Sequence, residues 1–377
     1  MQFEEFFDTL FGIMISHLVR TKSPRVHTTV RILAIETSCD ETAIAVLECS
    51  GGLEKPLFKV LGNALNSQID IHKEFGGVVP DIAKREHVKW LPILLGKVFK
   101  DVCYDLERPN IDLIAVTTGP GLEPALWAGI TFAEELSKKW KIPLLPVNHM
   151  EGHILSVLVG NETQPEFPAL ALLVSGGHTE FVSVQNYGEY SVIGKTRDDA
   201  AGEAFDKVAR ILGLPYPGGP EVARLAAKHR EAHEHSPITF PMPMLKSGDL
   251  DFSYSGLKTA VLYKAKELGE LNDDQKRELA RAFEDAAIGV LVEKTRQALM
   301  ERMVKTLIVG GGVSANSYLR SELEKLLTEF PETSLLFPEK SLTTDNAVMI
   351  GIAAYIEYTK NEKLPLGSLR AQGNLSF

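Results

Sequence analysis

The sequence predicts an α/β protein of two related lobes with a ligand cleft between them, and three observations carry that prediction. Two β-hairpins run in step: with Leu33 set against Leu170, Ile35 falls on Leu172, Ser38 on Ser175, Thr42 on Thr179 and Ile44 on Phe181, without a gap. Two buried strands, at residues 111–116 and 306–309, each run into a glycine turn and then a helix, as in βα units. The 377 residues suffice for two domains or one large bilobed unit.

Composition narrows the partners. Hydrophobic residues make up 44% and charged residues 24%, a globular balance that supplies a core. A formal net charge of −10 excludes the gathering of nucleic acid by overall attraction. Such a substrate would have to meet a local basic patch or be presented by a partner. Lys84, Arg85, Lys89, Lys97 and Lys100 offer one patch, with a solvated helix face as the plainer reading. Three cysteines, Cys39, Cys49 and Cys103, form no disulfide framework and point to a reducing, cytoplasmic compartment. No apolar run reaches the length of a bilayer span, so no membrane partner is expected. In residues 1–30, Phe3, Phe6, Phe7, Leu10, Phe11, Met14, Ile15 and Leu18 recur at helical spacing beside Glu4, Glu5 and Asp8. Acids there fit neither a secretory signal nor a transit peptide, so this extension reads as an appended amphipathic helix packed on the body or on a partner, or equally as an upstream extension with no function.

The first hairpin pairs a buried strand at residues 31–37 with a second at 42–47, across the polar turn Ser38-Cys39-Asp40-Glu41. Such a turn can offer backbone N–H groups and hydroxyls to phosphate, while its acids take metal or protons, although a plain hydrophilic turn is the favoured reading of this piece alone. Gly76-Gly77-Val78-Val79-Pro80 opens a helix from about residue 83 to 102, ended before Arg108-Pro109. The strand at 111–116 runs through Thr118-Gly119-Pro120-Gly121 into a helix from about 124 to 140, an entrance where anions bind. After the polar linker 160–165, the second hairpin turns at Gly176-Gly177-His178.

Helices dominate the rest of the second lobe. The segment Asp198-Asp199-Ala-Ala-Gly-Glu203 enters a helix holding Asp206 and Arg210, and the rigid loop 215–220 lets a ligand approach its glycines closely. His229, His233 and His235 lie among charged neighbours and read as an exposed segment. Ser255 is expected to cap the next helix, and a long helix runs from about 274 to 302. Gly310-Gly311-Gly312 suits a nucleotide across a βα turn, and an ordinary turn nearly as well; the G-x-G-x-x-G dinucleotide spacing is absent. Thr343-Thr344-Asp345-Asn346 opens the last helix. Asp345 is a helix cap or, if that helix returns to the first lobe, a metal ligand.

The chemistry centres on His149-Met150-Glu151-Gly152-His153. Imidazoles four apart on a helix stack on one face and can reach one ion. The pair sits at a strand-to-helix turn, where α/β proteins keep their ligands. Two histidines merely lining a helix remain the alternative.

Together, residues 36–42, 173–179 and 310–316 resemble the phosphate and adenosine loops of the actin/Hsp70/sugar-kinase superfamily, which implies two related actin-like (ribonuclease H-like) lobes. A closer resemblance is to the TsaD family, the bacterial and organellar tRNA threonylcarbamoyltransferases. It rests on Ile-Glu-Thr-Ser-Cys-Asp-Glu-Thr (35–42), His-Met-Glu-Gly-His (149–153), Leu-Val-Ser-Gly-Gly-His-Thr (173–179) and Asp-Asp-Ala-Ala-Gly-Glu-Ala-Phe-Asp-Lys (198–207). Tyr-Pro-Gly-Gly-Pro (216–220), Phe-Ser-Tyr-Ser-Gly-Leu-Lys-Thr (252–259), Gly-Gly-Val-Ser-Ala-Asn (311–316) and Thr-Asp-Asn (344–346) complete it. The first lobe would then comprise residues 31–150 plus 342–377, and the second 151–341 with helical insertions.

The resemblance implies transfer of threonylcarbamoyl from threonylcarbamoyl-adenylate to the exocyclic amine of the adenosine 3′ of the anticodon, with release of AMP. It places one divalent metal ion, iron or zinc, on His149, His153 and Asp345, and the adenylate on Leu173, Val174, Ser175, Gly176, Gly177, Asp206, Gly219 and Asn316. Asp40 is the candidate acceptor of the amine proton, by its position in the hairpin. The superfamily adds magnesium with a nucleotide. Implied partners are tRNA, a paralogous TsaB-like subunit and a small TsaE-like ATPase, or a homodimer where no partner is needed. One departure stands out: many relatives carry an acid four residues after the second glycine of the Pro-Gly-Gly-Pro motif, where this chain has Ala223.

Three rival readings compete with it. A zincin metalloprotease sets its glutamate directly after the first histidine; here Glu151 lies two residues along, roughly 200° round the helix. An ATP-driven kinase or chaperone of the same superfamily has no use for the histidine pair. A catalytically silent scaffold would lack the histidines, which this chain keeps.

Overall fold

The computed structural model describes residues 29–361 and 369–377. The amino-terminal helix expected in residues 1–30 lies almost wholly outside them. The first sheet comprises β1 (Val30–Glu36), β2 (Glu41–Ser50), β3 (Leu57–Ser67), β4 (Leu113–Gly119) and β5 (Leu144–Asn148), in the order β3-β2-β1-β4-β5. The second comprises β6 (Ala169–Val174), β7 (Thr179–Asn186), β8 (Glu189–Lys195), β9 (Thr306–Gly310) and β10 (Ser334–Leu336), in the order β10-β9-β6-β7-β8. The two orders are the same when each sheet is read from its own hairpin.

The likeness extends to register. Leu33 pairs with Val46 and Ile35 with Ile44, while Leu170 pairs with Ser183 and Leu172 with Phe181. β1 then runs parallel to β4 as β6 runs parallel to β9. These central strands are near-continuous apolar runs because both their faces are covered.

In the first lobe, Leu33, Ile35, Ile44 and Val46 face helices α1 (Pro80–Asp101) and α2 (Glu123–Trp140). The alternate residues Ile32, Ala34, Ala45 and Leu47 face the last helix, which therefore does return to this lobe. In that helix every residue from Ala347 to Ile356 is buried, which explains its lack of a polar stripe. Between the sheets lies α3 (His149–Leu155). It leaves β5 of the first sheet and packs Met150 and Ile154 onto Ala171, Leu173 and Val182 of the second. The opposite face of the second sheet carries α4 (Ala201–Ile211), α5 (Gly218–Ala232), α6 (Ser255–Leu268), α7 (Asp273–Glu301) and α8 (Ser317–Leu327). The last helix is α9 (Ala347–Lys360). No helix among the described residues is long and apolar enough to cross a membrane.

Helix ends correct two sequence expectations. Ser255 is the first residue of α6, not its cap: its N–H and hydroxyl both donate to Asp198, at 3.3 and 2.7 Å. A carboxylate from a distant loop does the capping instead, accepting from Tyr254 N–H as well at 2.7 Å. At α9, Asn346 is the cap, accepting from Met349 N–H at 3.0 Å, so Asp345 is free for other work. His229 departs from the exposed reading of its segment: it is buried, 3.4 Å from Arg281, while His233 and His235 are exposed.

Gly311 holds a left-handed φ of +87°, and a Cβ there would stand 2.5 Å from the Val174 carbonyl oxygen. Gly312 has nothing within 4 Å. Gly311→Ala is therefore expected to destabilise the protein by about 2–5 kcal/mol, from backbone strain plus forced displacement of β6. Gly312→Ala should fall within about 1 kcal/mol of the parent. Denaturant midpoints of the two variants, measured side by side, decide this.

Candidate active site

The strand-to-helix turn β5–α3 presents both imidazoles to the interface of the lobes. Asn148 caps α3 by accepting from Met150 N–H at 2.9 Å, which fixes the first turn and hence the direction of His149. The rings of His149 and His153 stand 4.6 Å apart at their centroids. Asp345 arrives from the start of α9, its Oδ1 3.3 Å from His149 Nε2 and 3.2 Å from His153 Nε2. Among the described residues these three form a group able to hold a metal ion, with ligand atoms within 4.8 Å of one another.

Two observations test whether the group suits a cation. Neither His153 Nδ1 nor Nε2 has a hydrogen-bond partner, although both are buried. The 3.2 Å approach to Asp345 lacks hydrogen-bond geometry, so neither ring nitrogen is spent on a protein group. His149 Nδ1, by contrast, lies 3.1 Å from Glu36 Oε2 and 3.2 Å from Ser38 Oγ. An N–H at Nδ1 donated to that carboxylate leaves the Nε2 lone pair for an ion, the carboxylate–histidine arrangement that orients metal ligands. Glu36 is itself held by Ser38 N–H and the Thr117 hydroxyl.

Charge follows from this crowding. Burial opposes a charge on His149, but Asp345 and Glu36 outweigh it and hold the ring well above the ordinary imidazole range. Burial depresses His153, with His149 adding to the effect and Asp345 only partly relieving it. Asp345 is hemmed in, yet the two imidazoles outweigh its burial and hold it well below the carboxylate range. It still keeps 21% of its side-chain area open. Two carboxylates thus converge on two rings, and the site favours positive charge.

The adenylate residues expected from the sequence gather on the hairpin turn and the helices beside it. Leu173 and Val174 are buried in β6, and Ser175 Oγ accepts from Gly177 and His178 N–H at 3.3 and 3.1 Å, folding the turn tightly. Gly176 and Gly177 face open space, with nothing within 4 Å of either Cβ position, so a ligand can lie against their backbone. Asp206 accepts from Gly218 N–H at 2.7 Å and so fixes the loop that presents Gly219. Burial raises the Asp206 carboxyl, and the Gly218 and Gly219 amides partly offset it. Asn316 spends its side chain on the protein: it caps α8 through Leu319 N–H at 2.9 Å and donates to Glu284 at 2.7 Å. Asp40 sits in the first turn, with its carbonyl bound to Gln68 N–H at 3.0 Å. Beside it, burial first and the Asp40 carboxylate second push Glu41 up to about 10.

The sequence model of the TsaD family, tRNA N6-adenosine threonylcarbamoyltransferase, matches residues 59–352. The chain belongs to the TsaD family. It is 47% identical over 333 residues to the tRNA N6-adenosine threonylcarbamoyltransferase of Thermosipho africanus, covering 87% of this chain and 94% of that one. It is 46% identical to the protein of the same name from Burkholderia mallei, over 87% of this chain and 92% of that one. Among solved structures, HypF of T. kodakarensis superposes with a TM-score of 0.57 at 13% identity. Full-length HypF in a phosphate- and nucleotide-bound form superposes at 0.56 and 11% identity. These cover 89% and 90% of this chain but 48% of each HypF, and at such identity they show the shared actin-like fold alone.

The protease reading of the histidine pair fails on geometry: Glu151 turns from the imidazoles to accept from the Tyr190 hydroxyl at 2.9 Å, and burial pushes it up to about 7. Glu36 was not singled out from the TsaD motif, though the signal was there: a lone acid ending a strand of apolar residues. His178, following the two open glycines, was also missed as an electrostatic neighbour of the site. Burial, with His149 and His153, holds it down to about 4, so it is neutral beside the triad.

Proposed function

We propose that this chain transfers a threonylcarbamoyl group from threonylcarbamoyl-adenylate to the N6 amine of a tRNA adenosine, releasing AMP. The observation that carries the reading is the convergence of His149, His153 and Asp345 between two hairpin turns of matching register. Those three residues would hold one divalent cation, iron or zinc, which supplies Lewis acidity and a fixed positive charge. The lobes are taken as residues 31–150 plus 342–377 and 151–341.

The chain's own groups supply placement and proton transfer. The exposed backbone of Gly176 and Gly177, where no side chain stands in the way, and the Asp206-braced loop at Gly219 receive the adenylate. The amine lone pair attacks the carbamoyl carbon, the bond from that carbon to the phosphate oxygen breaks, and Asp40 accepts the amine proton. An adenine amine is a weak nucleophile, so alignment of the two substrates carries much of the rate. Glu41, pushed up to about 10 by burial and the neighbouring Asp40 carboxylate, is protonated at neutral pH and adds no second negative charge to the turn. tRNA is the second substrate, and a TsaB-like subunit with a TsaE-like ATPase are the partners to supply, with a homodimer as the alternative.

Purified protein incubated with threonylcarbamoyl-adenylate and a cognate tRNA, with and without those partners, should yield the modified nucleoside. His149→Ala should abolish it. Unmodified tRNA in every combination would sink the reading.

A further inference from the structure

Past β3 the chain makes two short helical turns, Ile69–His72 and Lys73–Phe75, before the loop at residues 76–79 enters α1. The inner side of this segment is wired to the turn that bears Asp40. Gln68 N–H holds the Asp40 carbonyl, and His87 Nε2 lies 3.0 Å from the Cys39 carbonyl oxygen. A carbonyl only accepts, so His87 carries its proton on Nε2. Its Nδ1 then accepts from the Thr42 hydroxyl at 2.8 Å and from the Gln68 amide at 3.3 Å. Gln68 Oε1 accepts in turn from His72 Nε2 at 3.1 Å, and His72 Nδ1 from Val79 N–H at 3.3 Å. Gln68, His72 and His87 are fully buried. One run of hydrogen bonds therefore links the loop at residues 76–79 to both carbonyls of the Cys39-Asp40 turn.

The outer side of the same segment is built differently. Phe75 leaves 57% of its surface in water. Next to it the Gly76 carbonyl accepts from Arg210 at 2.5 Å, a residue of α4 in the other lobe. Gly76 has a φ of +66°, and a Cβ there would stand 3.4 Å from the guanidinium, so the arginine lies directly against the loop. Arg210 is otherwise exposed. An unburied aromatic ring and a guanidinium plane, one from each lobe, thus flank the loop that steadies Asp40. Lys73 is exposed in the same turn, but so are Asp70 and Glu74, and the turn has no net basic field.

We propose that Phe75 is a stacking platform for the base of an unpaired nucleotide neighbouring the acceptor adenosine in the tRNA anticodon loop, with Arg210 bracketing that base from the second lobe. The inference rests on the function proposed above and names its RNA contact. Single-stranded RNA is recognised by splayed bases that stack on aromatic rings and guanidinium planes. Stacking tolerates the lack of a basic field, and it places RNA on the element that fixes the Asp40 carbonyl.

The test is steady-state kinetics on the full chain with its partners, at saturating adenylate and varied tRNA. Phe75→Ala is expected to raise KM for tRNA by about fivefold to a hundredfold. Phe75→Trp should stay within about twofold of the parent, and the alanine effect should persist when salt is raised. Affinity for threonylcarbamoyl-adenylate, measured without tRNA, should be unchanged in both. A parental KM for tRNA in Phe75→Ala overturns the platform, as does an equal loss of adenylate affinity, or a tryptophan variant as impaired as the alanine one. A parent protein that modifies no tRNA would instead overturn the activity itself.

Discussion

Asp345→Ala is expected to abolish the binding of a divalent cation and lower threonylcarbamoyl transfer by at least about a hundredfold. Changes among groups that only orient metal ligands cost about 10- to 100-fold in affinity or activity, and loss of a ligand sits at or beyond the top of that range. The geometry makes Asp345 the least replaceable of the three. It is the single carboxylate among the described residues that faces both Nε2 atoms, at 3.3 and 3.2 Å, and it comes from a helix more than 190 residues away in the chain. Its side chain is 21% open, against 7% and 1% for the two imidazoles, which makes it the most accessible of the three. Elemental analysis of parent and variant, with nucleoside analysis of the tRNA, checks both parts; full metal content in Asp345→Ala would refute the assignment.

The same variant has a second expected effect, on the metal-free protein. Removing Asp345 takes a partner from His149, which loosens the fold, but also removes a like charge that raises Glu36. Breaking a buried pair costs about 3–5 kcal/mol. With Asp345 partly open and the repulsion relieved, a loss of about 1–3 kcal/mol is expected. Asp345→Asn separates shape from charge: it keeps a hydrogen-bond acceptor without the ion pair, so it should recover part of that stability and little of the metal binding.

Much of this site was legible in the sequence because its parts are local. A His-x-x-x-His pair fixes two rings on one helical face wherever the helix lies. The two hairpins could be set in step because a strand's alternation pins its register, and Ile35↔Ile44 and Leu172↔Phe181 are paired as that alignment requires. Contact between segments far apart could not be read. Asp345 looked equally like a helix cap, and only the packing of α9 on the first sheet, with Asn346 taking the cap, separates the two. Ser255 satisfied every local rule for a cap and lost to Asp198, a competitor 57 residues away. Glu36 is legible as a lone acid closing β1 but not as a partner of His149, because the two meet only across the ends of β1 and β5, with β4 between them and 113 residues apart in the chain.

Binding of one zinc ion at about pH 7 is expected to release about one proton, and the apparent affinity should rise about tenfold per pH unit from about pH 6.5 until the folded value of His149 is passed. The source is His149. Its folded value is raised well above an unfolded one near 6.5, so in the metal-free protein its ion pairs contribute fully below about pH 6.5 and fade as pH climbs through the folded value. An ion needs the neutral ring, so it must displace that proton throughout the window. His153 adds nothing there, because its value is already lowered and the ring is neutral. Asp345 and Glu36 are depressed; their contribution holds above the ordinary carboxylate values and is lost only in acid, as pH falls through their folded ones. Metal-free protein should therefore lose stability on both flanks: in acid through the carboxylates, and above neutrality through His149. Metal-loaded protein should keep its stability on the alkaline side. Zinc titrations by calorimetry in two buffers of different ionisation heat count the proton. A count near zero would mean that His149 is neutral before the metal arrives, and that Asp345 and Glu36 do not hold its proton.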